Sequence, residues 1–345
     1  MAWDLGDRPL AVLALLFIVS GAVVWVAGAL LARLVDTLAD RTGIGKAFAG
    51  MLLLGGITSL PEVATVATAS ATGSPSLALN NLLGSASINV ALLALADFLY
   101  GRAALTSMVA RPATLLQGVL GMTLMTGVAI ACATGDVEIP YLGVGAASLV
   151  LGLGCVHALR IAARFERAHV WTVVEPPELI EEPLDPDRRP TWIVVALIVG
   201  AAASILAAGS VLSLAGDGIA AATGLGDSFV GFTLVGFATS LPEMSSVFAA
   251  MKLRRYELAI GDIFGTNLFN IQLILLADIV GRGPPVLAGA GRFEIIAAAL
   301  AVAMTGLFVI GLLERRDRTI LCMGRDSALV LIAFAGGVAM LARIA

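Results

Sequence analysis

The chain is 345 residues long, 59% apolar and only 13% charged, with a mean hydropathy of +0.97. A soluble domain of this length carries roughly a quarter charged residues, so a water-soluble globular fold is excluded. The formal net charge of −4 carries little information about partners, and no nucleic-acid partner is expected.

Apolar runs of about 20 residues, the length that spans a bilayer as a helix, recur along the whole sequence. They fall at 10–33, 47–72, 77–100, 113–134, 139–160, 191–215, 228–251, 257–281, 293–313 and 326–344. The pattern predicts an all-α polytopic membrane protein with ten transmembrane helices. The short alternating segments of a β-barrel are absent. The first run follows Asp4, Asp7 and Arg8 rather than a basic stretch, and it is too long for a signal-peptide core, so it is read as a membrane helix.

The second run carries "GGITSLPEVATVA" at 55–67, with a proline and a glutamate side by side. Pro61 cannot donate to the carbonyl of Ile57, so the helix is expected to kink or break there and free backbone carbonyls at membrane depth. Glu62 lies about 15 residues into the run, near the bilayer centre. An isolated carboxylate at that depth costs ~2.5–3.5 kcal/mol on insertion scales. The third run places Asn81, Ser85 and Asn89 at i, i+4 and i+8, one polar stripe on one helix face. Gly84 lets another helix approach closely. Asp97, five residues before Arg102, reads as a helix-end group or an interfacial ion pair.

The fourth and fifth runs contain Cys132 and Cys155, which with Cys322 are expected to be packing residues at helix positions. His157 and His169 suggest no shared site. The polar segment 161–190, with "EPPELIEEPLDPDRRP", reads as an irregular tether. The seventh run repeats the motif as "GFATSLPEMSSVF", with Pro242 opposing the carbonyl of Ala238 and Glu243 at the same depth as Glu62. The eighth repeats the stripe as Asp262, Thr266 and Asn270, with Gly265 beside it. Asp278 precedes Arg282 by four residues and takes the reading given to Asp97.

An offset of 181 superimposes the two halves. "TSLPE" recurs at 58–62 and 239–243, and "ALNNLLGSASIN" at 78–89 falls on "AIGDIFGTNLFN" at 259–270 without a gap. The chain is therefore divided into a first five-helix repeat at 1–160 (motif region 55–101), a linker at 161–190, and a second repeat at 191–345 (motif region 236–281). Five is odd, so the second repeat enters the membrane from the opposite face. This inverted repeat is a secondary-transporter architecture with its site near the midplane. With the N-terminus outside, seventeen of the 21 Lys and Arg residues fall in cytoplasmic loops or helix ends. That bias predicts both termini outside.

No basic residue shares the depth of the two glutamates, so their charge is to be balanced by protons or cations. Carboxylate, hydroxyl, amide and carbonyl oxygens suit Na⁺ and Ca²⁺ rather than transition metals. Asn81 and Asp262 are further oxygen donors on the same stripes.

These residues resemble the cation/Ca²⁺ exchanger superfamily, and specifically its prokaryotic sodium/calcium exchanger branch. Its two repeats each carry G-[TS]-S-x-P-E followed by G-[ND]-x-x-G-S-x-x-x-N. The resemblance implies that Glu62 and Glu243 are the central carboxylates that bind Ca²⁺ and share Na⁺. It assigns backbone carbonyl ligands to Thr58 and Thr239, and hydroxyl ligands of flanking Na⁺ sites to Ser59 and Ser240. Ser85 and Thr266 match a second hydroxyl pair, and Asn89 and Asn270 the fourth corner of the cluster. Departures from the pattern are Asn80 in place of glycine before Asn81, and Ile57 and Ala238 where glycine precedes the Thr-Ser pair. The Asn-Ala-x-Glu motif of proton/calcium exchangers is absent.

The expected function is secondary antiport of Na⁺ for Ca²⁺ by alternating access at a midplane site in the plasma (inner) membrane. Na⁺ and Ca²⁺ are the ligands, and no cofactor or enzymatic step is expected. A proton-coupled or other monovalent-coupled exchanger is the alternative. An ion channel fits less well, because an inverted repeat encloses its site within one chain. An intramembrane hydrolase lacks a nucleophile–base pair at depth. The first helices of the two halves are expected to slide past the remaining eight.

Overall fold

The computed structural model describes residues 8–42, 55–100, 103–109, 111–168, 189–281, 283–320 and 322–344. Helices of ten residues or more among them are numbered in chain order. They are α1 (Leu10–Thr42), α2 (Leu60–Thr72), α3 (Pro75–Tyr100), α4 (Pro112–Thr134), α5 (Ala146–Ala168), α6 (Thr191–Thr223), α7 (Leu241–Lys252), α8 (Tyr256–Val280), α9 (Arg292–Glu314) and α10 (Arg325–Leu341). Seven are long and apolar enough to cross a bilayer. The bent pair Asp227–Thr239 with Leu241–Lys252 makes an eighth. Residues 47–54 of the predicted second span, and Arg102 and Arg282, lie outside the described residues.

The duplication read from sequence governs the element boundaries. Moving α1 by 181 gives Thr191–Thr223 with no residue to spare, α3 and α4 recur within one residue of the same shift, and the hairpin after α4 recurs within two. Some predicted boundaries were too short. The helices α1 and α6 have 33 residues each, about 50 Å at 1.5 Å per residue, well beyond the thickness of the hydrocarbon core. The predicted span at 139–160 starts late, because Glu138–Ile139 pairs with Val144–Gly145 as a small antiparallel hairpin before α5. The reason is local: Gly143 and Tyr141 adopt positive φ in the turn, which ends helical geometry. The segment 161–168, assigned to the tether, continues α5. Cys322 is not in a helix. It sits exposed in the turn between Thr319–Ile320 and Met323–Gly324, at φ 68°. Cys132 and Cys155 are buried and free, as packing residues.

The stripe helices α3 and α8 form the centre of the bundle. In their spanning windows 83% and 67% of residues are buried, against 28% for both α1 and α6. The central helices pack into two apolar clusters with α4 and α9, one around Leu82, Val128 and Ala297, the other around Leu93, Ile263 and Phe308. Phe264 and Phe308 meet edge to face, with centroids 6.2 Å apart. The outer helices lie against each other and against α2 and α7. Gly28 of α1 rests on Pro242, and Gly209 of α6, which is Gly28 shifted by 181, rests on Pro61.

Both predicted helix-end aspartates cross-tie the halves. Asp97 Oδ1 accepts from the Leu105 amide at 2.9 Å, and its Oδ2 accepts from the Gly324 amide at 2.8 Å and the Ser327 hydroxyl at 2.7 Å. Asp278 accepts from the Val286 amide at 2.7 Å and the Gly145 amide at 2.9 Å. These bonds give each carboxylate a structural role at a helix end. Arg111 pairs with Glu257 at 2.7 Å where α4 and α8 begin.

Candidate cation site

Each "TSLPE" motif breaks its helix at the serine. Gly55–Thr58 is a single helical turn, and α2 restarts at Leu60 with Pro61 in its first turn. Gly236–Thr239 stands in the same relation to α7 and Pro242. Proline is tolerated there because first-turn amides have no helical partner. Ser59 (φ −71°, ψ 1°) and Ser240 (φ −81°, ψ 6°) share one conformation at the break, and the second pair bends by 43°. In the second half the turn is preceded by a π-helical segment, Gly231–Val235.

The short turn of each half packs on the stripe helix of the other half. A Cβ on Gly55 would lie 3.0 Å from the Asp262 carbonyl and 3.2 Å from the carbonyl carbon of Gly265. One on Gly236 would lie 3.3 Å from that of Gly84. A Cβ on Gly84 would collide with the Phe232 carbonyl. Glycine at these crossings is what lets the two backbones meet.

Hydrogen bonds follow the same exchange of partners. Thr239 donates to Asn81 Oδ1 at 3.0 Å and shares a hydrogen bond of 3.1 Å with Ser85, and Ser240 donates to Ser85 at 3.2 Å. On the other side Thr58 donates to Asp262 Oδ1 at 3.3 Å and lies 3.4 Å from the Thr266 hydroxyl. Ser85 reaches the Gly236 carbonyl and Thr266 the Gly55 carbonyl, both at 3.3 Å. Ser59 turns back to its own helix, donating to the Gly55 carbonyl at 2.6 Å.

Within each half the stripe meets the glutamate. Ser85 donates to Glu62 Oε1 at 3.0 Å, and Thr266 to Glu243 Oε1 at 3.3 Å. Both carboxylates are fully buried. Their other oxygens, Glu62 Oε2 and Glu243 Oε2, have no partner, and neither does Asn89 Oδ1 or Asn270 Oδ1. Buried acceptors without donors are rare in folded proteins and costly at this depth. These four belong to residues predicted as ligands, while other buried oxygens without donors, such as Asn80 Oδ1, Gln117 Oε1 and Asp326 Oδ2, lie on residues outside the predicted set.

The predicted residues are all buried. Side-chain hydrogen bonds join them in two networks, one around Glu62, Ser85, Thr239, Ser240 and Asn81 and one around Glu243, Thr266, Thr58 and Asp262, while Asn89 bonds to Asn267 and the Asn270 amide has no partner. The sequence places Asp262 only as a further oxygen donor beside the two glutamates. The fold puts Asp262 two hydroxyls away from Glu243, through Thr58 and Thr266. Ser246, absent from the prediction, bridges Asp262 Oδ2 and the Glu243 carbonyl. Its mate under the 181 shift is Thr65, which instead donates to the Gly209 carbonyl at 3.2 Å. Among the described residues no trio of His, Cys, Asp or Glu converges as a resident metal centre.

A sequence model described as "Sodium/calcium exchanger protein" matches residues 12–157 and again 192–341, one match per half. The chain belongs to this sodium/calcium exchanger family. It is a multi-pass membrane transporter of the cation/Ca²⁺ antiport class, not an enzyme, and the family's transported ions are Na⁺ and Ca²⁺. This exchanger is 28% identical over 311 residues to a protein of Alkalimonas amylolytica named "Putative antiporter CaxA", covering 87% of this chain and 89% of that one. It is 29% identical over 241 residues to the inner membrane protein YrbG of Escherichia coli K12, covering 68% and 69%. Its fold matches solved structures of the sodium-calcium exchanger NCX_Mj. One of them, at 20% identity, gives a TM-score of 0.67 and covers 96% of this exchanger and 99% of that chain.

Proposed function

We propose that this exchanger moves Ca²⁺ against Na⁺ by alternating access, through a midplane site between two inverted five-helix repeats. In this reading ten helices span the plasma (inner) membrane, and both termini face outside. The observation that carries it is that Glu62, Glu243, Asn89 and Asn270 each bury an oxygen without a donor. A hard cation is the partner such oxygens lack. Glu62 and Glu243 hold Ca²⁺ and share Na⁺. Thr58 and Thr239 lend backbone carbonyls, Ser59, Ser240, Ser85 and Thr266 lend hydroxyls, and Asn81 and Asp262 flank the two ends.

The charge arithmetic favours two competing loads. Two ionised glutamates carry −2, which one Ca²⁺ neutralises. With Asp262 also ionised the set carries −3, which three Na⁺ neutralise and one Ca²⁺ leaves at −1, so at either fixed charge the two loads differ by one. No cofactor enters the cycle.

The test is ⁴⁵Ca²⁺ uptake into proteoliposomes under imposed Na⁺, K⁺ or pH gradients. Uptake driven by outward Na⁺ alone is expected. Uptake driven by a pH gradient with no response to Na⁺ would assign the protein to the proton-coupled class instead.

A further inference from the structure

Asn267 stands in α8 between Thr266 and Asn270 and is buried at 8% exposure. The sequence offers no reason to select it, because its mate under the 181 shift is Ala86. In the fold its Oδ1 accepts from Asn89 Nδ2 at 3.1 Å, and its own Nδ2 donates to the Ala86 carbonyl at 3.2 Å. It thus ties α8 to α3 where the two stripes cross.

An asparagine amide has an acceptor end and a donor end, and only the carbonyl oxygen can ligate a cation. With its NH₂ group held by Asn267, Asn89 has its carbonyl oxygen directed away from that bond. That oxygen is buried and has no donor. Turning the amide over would bring two N–H groups to the same place, where they would repel a cation. Asn267 cannot itself turn over without losing the Ala86 carbonyl. Asn270, the mate of Asn89, has no equivalent of Asn267, and neither end of its amide has a partner. The two matched corners of the cluster are therefore unequal, one oriented and one not.

We infer that Asn267 is a positioning residue that holds Asn89 with its carbonyl oxygen toward the transported cation, making that corner a preset ligand. This rests on the proposed Ca²⁺ reading of the site. Partners that orient metal ligands are worth about 10–100-fold in metal affinity.

The experiment measures Ca²⁺-induced thermal stabilisation of the purified protein together with the half-saturating Ca²⁺ for ⁴⁵Ca²⁺ uptake. Asn267→Leu is expected to weaken Ca²⁺ by ~10-fold or more, read against the variant's own melting temperature without Ca²⁺, which falls because the Asn89 amide and the Ala86 carbonyl lose their partner. Asn267→Asp, which keeps an acceptor for the Asn89 amide, is expected to restore most of the affinity. In an Asn89→Ala background, Asn267→Leu is expected to add no further loss, because the residue acts only through Asn89. Losses that add, or Asn267 variants that respond to Ca²⁺ as the parent does, would overturn the assignment. Where Asn267→Leu fails to fold, Asn267→Ser supplies the same comparison. A parent protein that Ca²⁺ does not stabilise at all would instead overturn the Ca²⁺ reading beneath it.

Discussion

Glu62 and Glu243 are each held by one hydroxyl on one oxygen and by nothing on the other. Glu62→Gln or Glu243→Gln is expected to abolish exchange with the fold intact, because each removes a fixed charge that faces the cation. Near-normal ⁴⁵Ca²⁺ uptake by either variant would place the site elsewhere. In the proposed site Ser59 and Ser240 are neutral ligands, so Ser59→Ala and Ser240→Ala are expected to be milder, raising half-saturating Na⁺ more than Ca²⁺. Asp262 allows a sharper comparison. Asp262→Asn reduces a full set of three carboxylates to two, so three Na⁺ would leave an excess of +1 while one Ca²⁺ would leave none. The variant is expected to lose Na⁺ affinity and keep or gain Ca²⁺ affinity. Half-saturation measured for both ions decides it, and a selective loss of Ca²⁺ counts against the role given to Asp262.

The elements that would have to move are α1 and α6, the least buried of the long helices. Each meets the broken helix of the opposite half through a glycine laid on a proline. The two contacts differ in tightness. A Cβ on Gly28 would approach Pro242 Cα to 2.5 Å, while one on Gly209 would lie 2.9 Å from Pro61 Cα. Overpacking of this kind costs about 1–3 kcal/mol. Gly28→Ala is therefore expected to slow transport more than Gly209→Ala, as read from initial uptake rates at equal protein. The α6 contact also carries hydrogen bonds, Thr65 to the Gly209 carbonyl at 3.2 Å and Ser213 to the Thr65 carbonyl at 3.3 Å. If the outer pair slides over a fixed core, disulfides joining α1 to α7 or α6 to α2 will stop transport and reduction will restore it. These pairs are best made after replacing Cys132, Cys155 and Cys322. Full activity in the cross-linked form rules out sliding.

For the whole molecule, an exchange of three Na⁺ for one Ca²⁺ carries one net charge per cycle. A potential of ~100 mV then biases each cycle by about 2.3 kcal/mol. Uptake in proteoliposomes is expected to respond to a valinomycin-imposed K⁺ potential, with the sign set by the direction of Na⁺ movement. Protons compete for the same carboxylate oxygens, and each proton bound cancels a charge the cation needs. Transport is therefore expected to fall as pH falls. A flat response to potential, or uptake that rises with acidity on both sides, counts against this cycle.

Much of this was written along the chain. The spacing of apolar runs, the 181-residue repeat and the paired Pro-Glu steps depend on local periodicity and on backbone chemistry, which neighbouring residues decide among themselves. They made the helix order, the broken helices and the polar stripes legible before any contact was known. The hairpin ahead of α5 was not legible, because its short apolar stretch fits a helix equally well until the turn at Tyr141 and Gly143 is seen. The partners of Asp97 were also hidden, since Gly324 and Ser327 lie more than two hundred residues away. Ser246 and Asn267 escaped for a related reason. Each departs from the repeat, as Thr65 and Ala86 do in the other half, so symmetry gave no signal at these positions. Only the packing of one repeat into the other brought Thr58 onto Asp262 and Asn267 onto Asn89. Those pairings depend on which helix faces cross, and that is decided by close contact between glycines and prolines far apart in the sequence.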